Sequence, residues 1–236
     1  MTDSLRAWVD DTLSPSARGW GTVSEIPLDA YVHGIGTDVE HDLKPLWCLT
    51  VAARPRVVLE LGTRRAISTR TLAHACRRVG ALLFTCDPDP TCAPFLRGVP
   101  AVAFRCTGEK LFDMGLFPPG SVDVLFVDTD PHSFEQTRGW LDAWVTRVLA
   151  QGGVALFHDV NARDVSGAPR PDIQVKEAIT AWLINRSPEG MPEGYLDRGC
   201  RMPTAEEFGK LRAQQWDYVA LGHDGAGGLG VLRRRG

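Results

Sequence analysis

Short apolar runs alternate with longer amphipathic segments along most of this chain. β-Branched, apolar runs predict strands at Arg56–Leu61, Ala81–Cys86, Ala101–Cys106, Val122–Val127 and Gly153–Phe157. Helical periodicity predicts helices at Leu5–Leu13, Asp38–Ala53, Ile67–Val79, Phe134–Ala150 and Ile173–Asn185. Near-continuous apolar strands that alternate with helices are typical of a parallel sheet covered by helices on both faces.

The end of the chain has a different pattern. Two further strands, Trp216–Leu221 and Gly228–Arg233, are separated by a short glycine-rich turn. Strands joined so closely must be antiparallel, because a parallel return needs a crossover of about a dozen residues or more. The sequence therefore predicts a Rossmann-like, doubly wound α/β sheet that is mostly parallel and has an antiparallel C-terminal edge.

Composition and charge indicate which kinds of partner the protein is not expected to bind. A formal net charge of −3 and a pI near 6.1 give no electrostatic reason to expect nucleic acid as a partner. No apolar stretch has the length of a membrane span, and the N-terminus lacks the apolar run of a signal peptide. The 6 cysteines show no zinc-like spacing. We therefore expect a cytoplasmic protein with reduced thiols and with neither a membrane nor a nucleic-acid partner.

Residues with binding chemistry follow the carboxyl ends of the first two strands. Glu60, Gly62 and Thr63 close the first strand, and Ser68 lies at the start of the next helix. Ligands of open α/β sheets bind beyond the carboxyl ends of strands, where glycine allows a tight turn and helix N–H groups receive an anion. Asp87 ends the second strand at a spacing that suits the two hydroxyls of a ribose. These features predict a ligand that contains a nucleoside.

The third, fourth and fifth strands end in further polar residues. Glu109 follows the third strand, where it either meets an adenine edge or forms a polar turn. Asp128 ends the fourth strand and is followed by His132, while His158 and Asp159 end the fifth. If these two strands are neighbours, their ends lie about 5 Å apart. The cluster then either holds a divalent metal or performs acid–base chemistry through a histidine, unless its members only cap a helix and pack at a strand end.

Together these segments resemble a known family. The runs VVLELGTRRAIST, CDPDP, DVLFVDTDPHSFEQT and LAQGGVALFHDV are similar to class I S-adenosylmethionine-dependent methyltransferases. More narrowly, they resemble macrocin-type O-methyltransferases, cephalosporin-hydroxylase-like proteins and relatives of catechol O-methyltransferase. The resemblance implies the class I methyltransferase fold and methyl transfer from S-adenosylmethionine to a hydroxyl of a small molecule, such as a natural-product or sugar intermediate. It also implies a homodimer.

The resemblance assigns roles by position. Cofactor contacts are implied at Glu60, Gly62, Thr63, Ser68, Asp87, Glu109 and Asp128. Asp128, His158 and Asp159 stand where metal-dependent relatives hold Mg²⁺. His158 departs from the carboxylate or amide of those relatives, which weakens the case for Mg²⁺ relative to another divalent metal. The catalytic base is left open between His132 and His158, and Ala66 stands where the family's turn usually has glycine.

The whole of residues 1–236 is expected to be a single methyltransferase domain, with residues 1–50 as a helical N-terminal extension that contributes to the substrate pocket. The main alternative is a catalytically silent, cofactor-binding subunit that assists a partner enzyme. A nicotinamide-dependent oxidoreductase is disfavoured, because no GxGxxG motif follows the first strand. Methylation of nucleic-acid bases is disfavoured by the lack of an Asn/Asp-Pro-Pro-aromatic motif.

Overall fold

The computed structural model of the protein describes residues 3–14, 42–162, 170–185, 216–223 and 226–235. The strands are β1 (Val57–Leu61), β2 (Leu82–Cys86), β3 (Val102–Phe104), β4 (Val122–Val127), β5 (Leu149–Phe157), β6 (Trp216–His223) and β7 (Ala226–Arg234). They form one sheet of order β3-β2-β1-β4-β5-β7-β6. β1 to β5 pair in parallel, whereas β7 is antiparallel to both β5 and β6. The predicted sheet and its antiparallel C-terminal edge are thus confirmed.

The helices are α1 (Asp3–Leu13), α2 (Leu43–Ala53), α3 (Ile67–Val79), α4 (Gly108–Asp113), α5 (Phe134–Trp140) and α6 (Val175–Asn185). α5 continues as a π-helix over Leu141–Val148, and a 3₁₀ helix spans Pro90–Leu96. The predicted helices are present, although residues 38–41 lie outside the described ranges. The predicted helix Phe134–Ala150 ends at Val148, because β5 already begins at Leu149.

Each face of the sheet carries its own apolar core. Val58 and Val124 belong to the core that α1, α2 and α3 cover. Their neighbours Leu59 and Leu125 belong to the opposite core, which includes Trp182 of α6. Alternate residues of one strand therefore support helices on opposite faces, as the doubly wound arrangement requires.

Two smaller findings concern the described part of the chain. Its cysteines are free thiols, at Cys48, Cys76, Cys86, Cys92 and Cys106. Within these same ranges, the helices are too short or too polar to cross a membrane. The sixth cysteine, Cys200, lies outside the described residues.

Candidate active site

A cavity opens at the carboxyl ends of the central parallel strands. β1 lies between β2 and β4, so the strand order reverses at this point. Open α/β sheets bind their ligands at such a switch point. The cavity has a volume of about 310 Å³, and its lining includes Gly62, Asp87, Glu109, Asp128 and Trp140. The first four of these residues were predicted from the sequence as cofactor contacts.

Gly62 occupies a position that a larger residue cannot take. Its φ is +99°, and a Cβ there would lie 1.9 Å from the carbonyl oxygen of Asp128. Backbone hydrogen bonds hold the contact, because Gly62 donates to Cys86 and Asp128 donates to Leu61, both at 2.9 Å. Ala66, where the resembling family usually has glycine, adopts a left-handed φ of 57° and is fully buried. The turn after β1 therefore runs directly against the end of β4.

Asp87 ties this turn to the end of β2. Its Oδ2 accepts hydrogen bonds from the backbone N–H groups of Thr63 at 3.0 Å and Arg64 at 2.9 Å. Its Oδ1 accepts one from the N–H of Asp89 at 2.8 Å. A carboxylate has about four acceptor positions, so Asp87 retains capacity for a ligand hydroxyl while it shapes the cavity wall.

Glu60, Thr63 and Ser68 lie outside the cavity lining, although the sequence predicted them as cofactor contacts. Glu60 is fully buried, and its carboxylate accepts hydrogen bonds from the hydroxyls of Ser68, Thr69 and Thr85 at 2.6–2.7 Å. Burial raises the pKa of Glu60 to about 7, although these three hydrogen bonds favour the ionised form. The contacts join the start of α3 to β1 and β2, so these residues support the turn from behind.

Four titratable side chains form a cluster beside the cavity. Asp128, His132, His158 and Asp159 each offer a ligand atom, and these atoms lie within 4.8 Å of one another. His158 Nδ1 is 3.4 Å from an oxygen of Asp128 and 3.4 Å from an oxygen of Asp159. His132 Nε2 is also 3.4 Å from an oxygen of each carboxylate. The structure thus brings together the three predicted metal ligands, which include the candidate base His158, and the other candidate base, His132.

The backbone of the cluster is strained. His132 has a φ of 53° and Asp159 a φ of 62°, both in the left-handed region. This conformation costs about 1–2 kcal/mol for most residues with a side chain, and less for an aspartate that can hydrogen-bond locally. Such strain concentrates at functional sites, where the surrounding structure holds a side chain in a required direction. The strain therefore supports a functional role for both side chains.

Asp130 faces His132 rather than capping the next helix. Ser133 caps α5, because its Oγ accepts a hydrogen bond from the N–H of Gln136 at 3.2 Å. The exposed Asp130 carboxylate lies 3.3 Å from His132 Nδ1. His132 consequently has a carboxylate beside each of its ring nitrogens.

The histidines and carboxylates of the cluster stabilise each other's charges. Burial lowers the pKa of His158, but Asp128, Asp159 and Asp42 outweigh this effect and hold that pKa well above its ordinary value. Burial raises the pKa of Asp128, but contacts with His158 and His132 hold it below its usual range. His132 Nε2 and both ring nitrogens of His158 are buried without an aligned hydrogen bond to the described residues. Nitrogen and carboxylate donors in this arrangement fit a divalent metal.

Sequence reasoning missed two residues of the site. Trp140 lines the cavity, and its Nε1 donates a hydrogen bond to Thr129 at 3.1 Å. Its ring lies so close to Gly108 that a Cβ there would be 2.7 Å from it. In the sequence, Trp140 has the spacing of an ordinary core aromatic. Asp42 lies beside His158, and its only sequence signal is that an acidic residue precedes an apolar helix.

The sheet order, the antiparallel C-terminal edge and the cavity at the switch point define the class I methyltransferase fold. Residues 59–160 match a family model described as a methyltransferase domain. This segment holds the ends of β1, β2, β4 and β5, and the match agrees with the resemblance to methyltransferases drawn from the sequence. No curated protein sequence shows a significant match.

Solved structures share this fold. An O-methyltransferase from Bacillus cereus in complex with SAH has a TM-score of 0.52 and 15% identity, covering 100% of both chains. The O-methyltransferase TomG from Streptomyces achromogenes, involved in tomaymycin synthesis and solved with SAM, has a TM-score of 0.52 and 16% identity over 99% of this chain and 96% of its own. A methyltransferase from Geobacter sulfurreducens has a TM-score of 0.53 and 14% identity over 99% of this chain and 96% of its own.

Proposed function

We propose that this protein is an S-adenosylmethionine-dependent O-methyltransferase that acts on a hydroxyl of a small molecule with the help of a divalent metal. One observation carries the proposal: Asp128 lines the cavity and also belongs to the partly buried cluster with His158 and Asp159. A methyl donor in the cavity and a hydroxyl held at the cluster would therefore be neighbours. The acceptor that we favour is a natural-product or sugar intermediate, as the sequence resemblance implies.

The cavity lining suits the parts of S-adenosylmethionine. Asp87 has acceptor capacity for a ribose hydroxyl, and the ring of Trp140 offers an aromatic wall for adenine beside Glu109. The turn at Gly62 lets the methionine part of the cofactor approach the backbone on the way to Asp128. Glu60, Thr63 and Ser68 support this turn without facing the ligand.

Asp128, His158 and Asp159 would hold the metal. Imidazole nitrogen is a poor ligand for Mg²⁺, whereas a mixed imidazole and carboxylate set suits Mn²⁺, Fe²⁺ or Zn²⁺. When bound, such a metal lowers the pKa of a coordinated hydroxyl and orients it. His158 is assigned to the ligand set rather than to proton transfer, because it is only 1% exposed.

The transfer itself is an in-line displacement at the methyl carbon. A lone pair of the substrate oxygen forms the new C–O bond while the C–S electron pair returns to sulfur, which leaves S-adenosylhomocysteine. The hydroxyl proton passes to His132, the more accessible histidine of the cluster, which the exposed Asp130 supports from its other nitrogen. Holding donor and acceptor in line supplies much of the rate enhancement through proximity.

We further propose that the whole chain is a single domain and that residues 1–50 contribute to the substrate pocket. Two observations support it. Leu5, Val9 and Leu43 pack into the core of one sheet face, and Asp42 contacts the metal-site residue His158. The homodimer and the cytoplasmic location remain expectations from the sequence.

A crystal structure with S-adenosylhomocysteine and Mn²⁺ tests the proposal, because anomalous scattering identifies the ion. We expect the ribose hydroxyls beside Asp87, the adenine beside Trp140, and one anomalous peak bonded to Asp128, His158 and Asp159. A cofactor outside this cavity would contradict the methyltransferase assignment. A bound cofactor without an ion at the cluster would contradict only its metal-assisted part.

A further inference from the structure

We propose that Asp42 is a positioning residue that orients His158 for metal binding. The proposal rests on the metal site proposed above and adds a contribution from the segment that precedes the methyltransferase-like region. Asp42 lies 17 residues ahead of residue 59, where the family match begins. No motif of the sequence pointed to it.

The contact between Asp42 and His158 is buried. Asp42 Oδ2 lies 3.3 Å from His158 Nε2, and both side chains are 1% exposed. The other ring nitrogen, Nδ1, faces oxygens of Asp128 and Asp159. A neutral imidazole has one N–H donor and one lone pair. A carboxylate on the Nε2 side therefore favours the tautomer that leaves the lone pair of Nδ1 available for a metal.

The side chain of Asp42 does not cap the helix that follows it. Asp42 is the N-cap residue of α2, yet its side chain makes no capping hydrogen bond. Aspartate at this position normally accepts a hydrogen bond from the second or third N–H of the helix. The positive end of the helix dipole still stabilises the negative charge of Asp42. The start of α2 thus presents a carboxylate to His158.

Gly227 confines the imidazole from a second element. A Cβ at Gly227 would lie 3.0 Å from His158 Nε2 and 2.6 Å from an oxygen of Asp159. Gly227 is fixed in this place, because its carbonyl accepts a hydrogen bond from the N–H of Asn161 at 2.6 Å. The ring of His158 is therefore held between the start of α2 and the start of β7, with one nitrogen directed at Asp42.

The consequence is that metal affinity depends on a residue that does not touch the metal. Carboxylates that hold a ligating histidine typically change metal affinity about 10- to 100-fold when they are removed. Asparagine at position 42 keeps an oxygen that can face the Nε2–H group but lacks the charge that makes the imidazole a stronger ligand. We therefore expect a graded effect, with Asp42→Asn between the wild type and Asp42→Ala.

The test measures Mn²⁺ affinity of the full chain at one fixed pH, by competition with a chromogenic chelator. The variants are Asp42→Ala and Asp42→Asn, and Asp217→Ala serves as control. Asp217 is also a buried carboxylate bound to a side chain, Arg235, but it lies at the start of β6. Visible absorption of the Co²⁺ form reports changes in the ligand set, and S-adenosylhomocysteine affinity is measured on the same samples.

We expect Asp42→Ala to weaken Mn²⁺ binding about 10- to 100-fold and to alter the Co²⁺ spectrum, with unchanged cofactor affinity. Asp42→Asn should lose less, and Asp217→Ala should match the wild type. Equal Mn²⁺ affinity in the wild type and a folded Asp42 variant would overturn the role of Asp42 alone. A wild-type protein that binds the cofactor but none of these metals would overturn this role together with the proposed metal site.

Discussion

The missing side chain of Gly62 makes room for the carbonyl oxygen of Asp128, since a Cβ at Gly62 would lie only 1.9 Å from that oxygen. Gly62 forms the turn that faces the proposed cofactor, and Asp128 is a proposed metal ligand. The cofactor turn and the metal site are therefore in direct backbone contact at the ends of β1 and β4. A change in the turn is expected to displace the metal ligand as well.

The first prediction compares Gly62→Ala with Gly80→Ala. Both glycines have a positive φ, but a Cβ at Gly80 would meet nothing within 4 Å. Gly80→Ala should cost about 1–2 kcal/mol of unfolding free energy from backbone strain alone. Gly62→Ala should cost roughly 3–5 kcal/mol, because overpacking against β4 adds to that strain. Denaturant unfolding measures both values. Equal losses of unfolding free energy would show that crowding against Asp128 does not destabilise Gly62→Ala.

The second prediction concerns the pH dependence of stability. The pKa of Glu60 is about 7 in the folded protein, against an ordinary value of 4.5. Its contribution to stability is therefore present below pH 4.5 and is lost as the pH rises through 7, because the buried carboxyl must then ionise. The loss is at most roughly 3 kcal/mol.

Unfolding with a chelator present at pH 5.5 to 8.5 checks this prediction. Glu60→Gln cannot ionise, so its stability should fall less steeply with pH than that of the wild type. The control is Glu177→Gln, since Glu177 is exposed on α6. Parallel pH curves for Glu60→Gln and the wild type would mean that Glu60 is not protonated in the folded state.

The third prediction tests the aromatic wall of the cavity. Trp140→Leu should weaken S-adenosylhomocysteine binding roughly tenfold, since stacking on a base contributes about 1–3 kcal/mol. Trp182→Leu is the matched control: Trp182 is also buried, but it packs against Trp216 in the core. Both variants should lose stability, and only the first should lose affinity by calorimetry. A similar affinity loss in both would assign the effect to general loosening of the fold.

The fourth prediction concerns the choice of metal. Because His158 contributes a nitrogen donor, Mn²⁺ and Zn²⁺ should bind at least about 100-fold more tightly than Mg²⁺. Competition against a chelator dye gives the three constants. Asp128→Asn should abolish tight binding, whereas Asp172→Asn, which changes an exposed carboxylate, should not. Preference for Mg²⁺ would exclude the imidazole of His158 from the ligand set.

The sheet was predictable because buried parallel strands are short apolar runs and each is followed by a periodic helix. α3 has the bounds that its periodicity predicts, and Gly80 ends it in a left-handed conformation. β5 begins four residues earlier than predicted, at Leu149 rather than Gly153. Gln151 and Gly152 interrupt the apolar pattern there, yet Leu149 still pairs with the start of β4. The 3₁₀ helix and α4 were missed because they are too short to show a period.

The grouping of Asp128 with His158 was predictable for a topological reason. The carboxyl ends of neighbouring parallel strands meet at one edge, and Val127 pairs with Phe157 in the structure. Asp42 was not predictable, because nothing local in the sequence tells which distant strand end a helix start will face. Glu60 was predicted to contact the cofactor because it lies at the carboxyl end of β1. Its burial was not predictable, because it depends on the hydroxyls of α3 and β2 that surround it.

Calorimetric titration with S-adenosylhomocysteine tests the central claim most directly, using Asp87→Ala and Asp123→Ala. Each carboxylate accepts hydrogen bonds from two consecutive backbone N–H groups next to β1. For Asp87 these groups lie in the turn after β1, and for Asp123 they lie at the opposite end of the strand. We predict micromolar binding by the wild type and by Asp123→Ala, and at least a tenfold loss in Asp87→Ala, about 1.4 kcal/mol. Absence of binding by the wild type, or equal affinity in both variants, would contradict the proposed cofactor site.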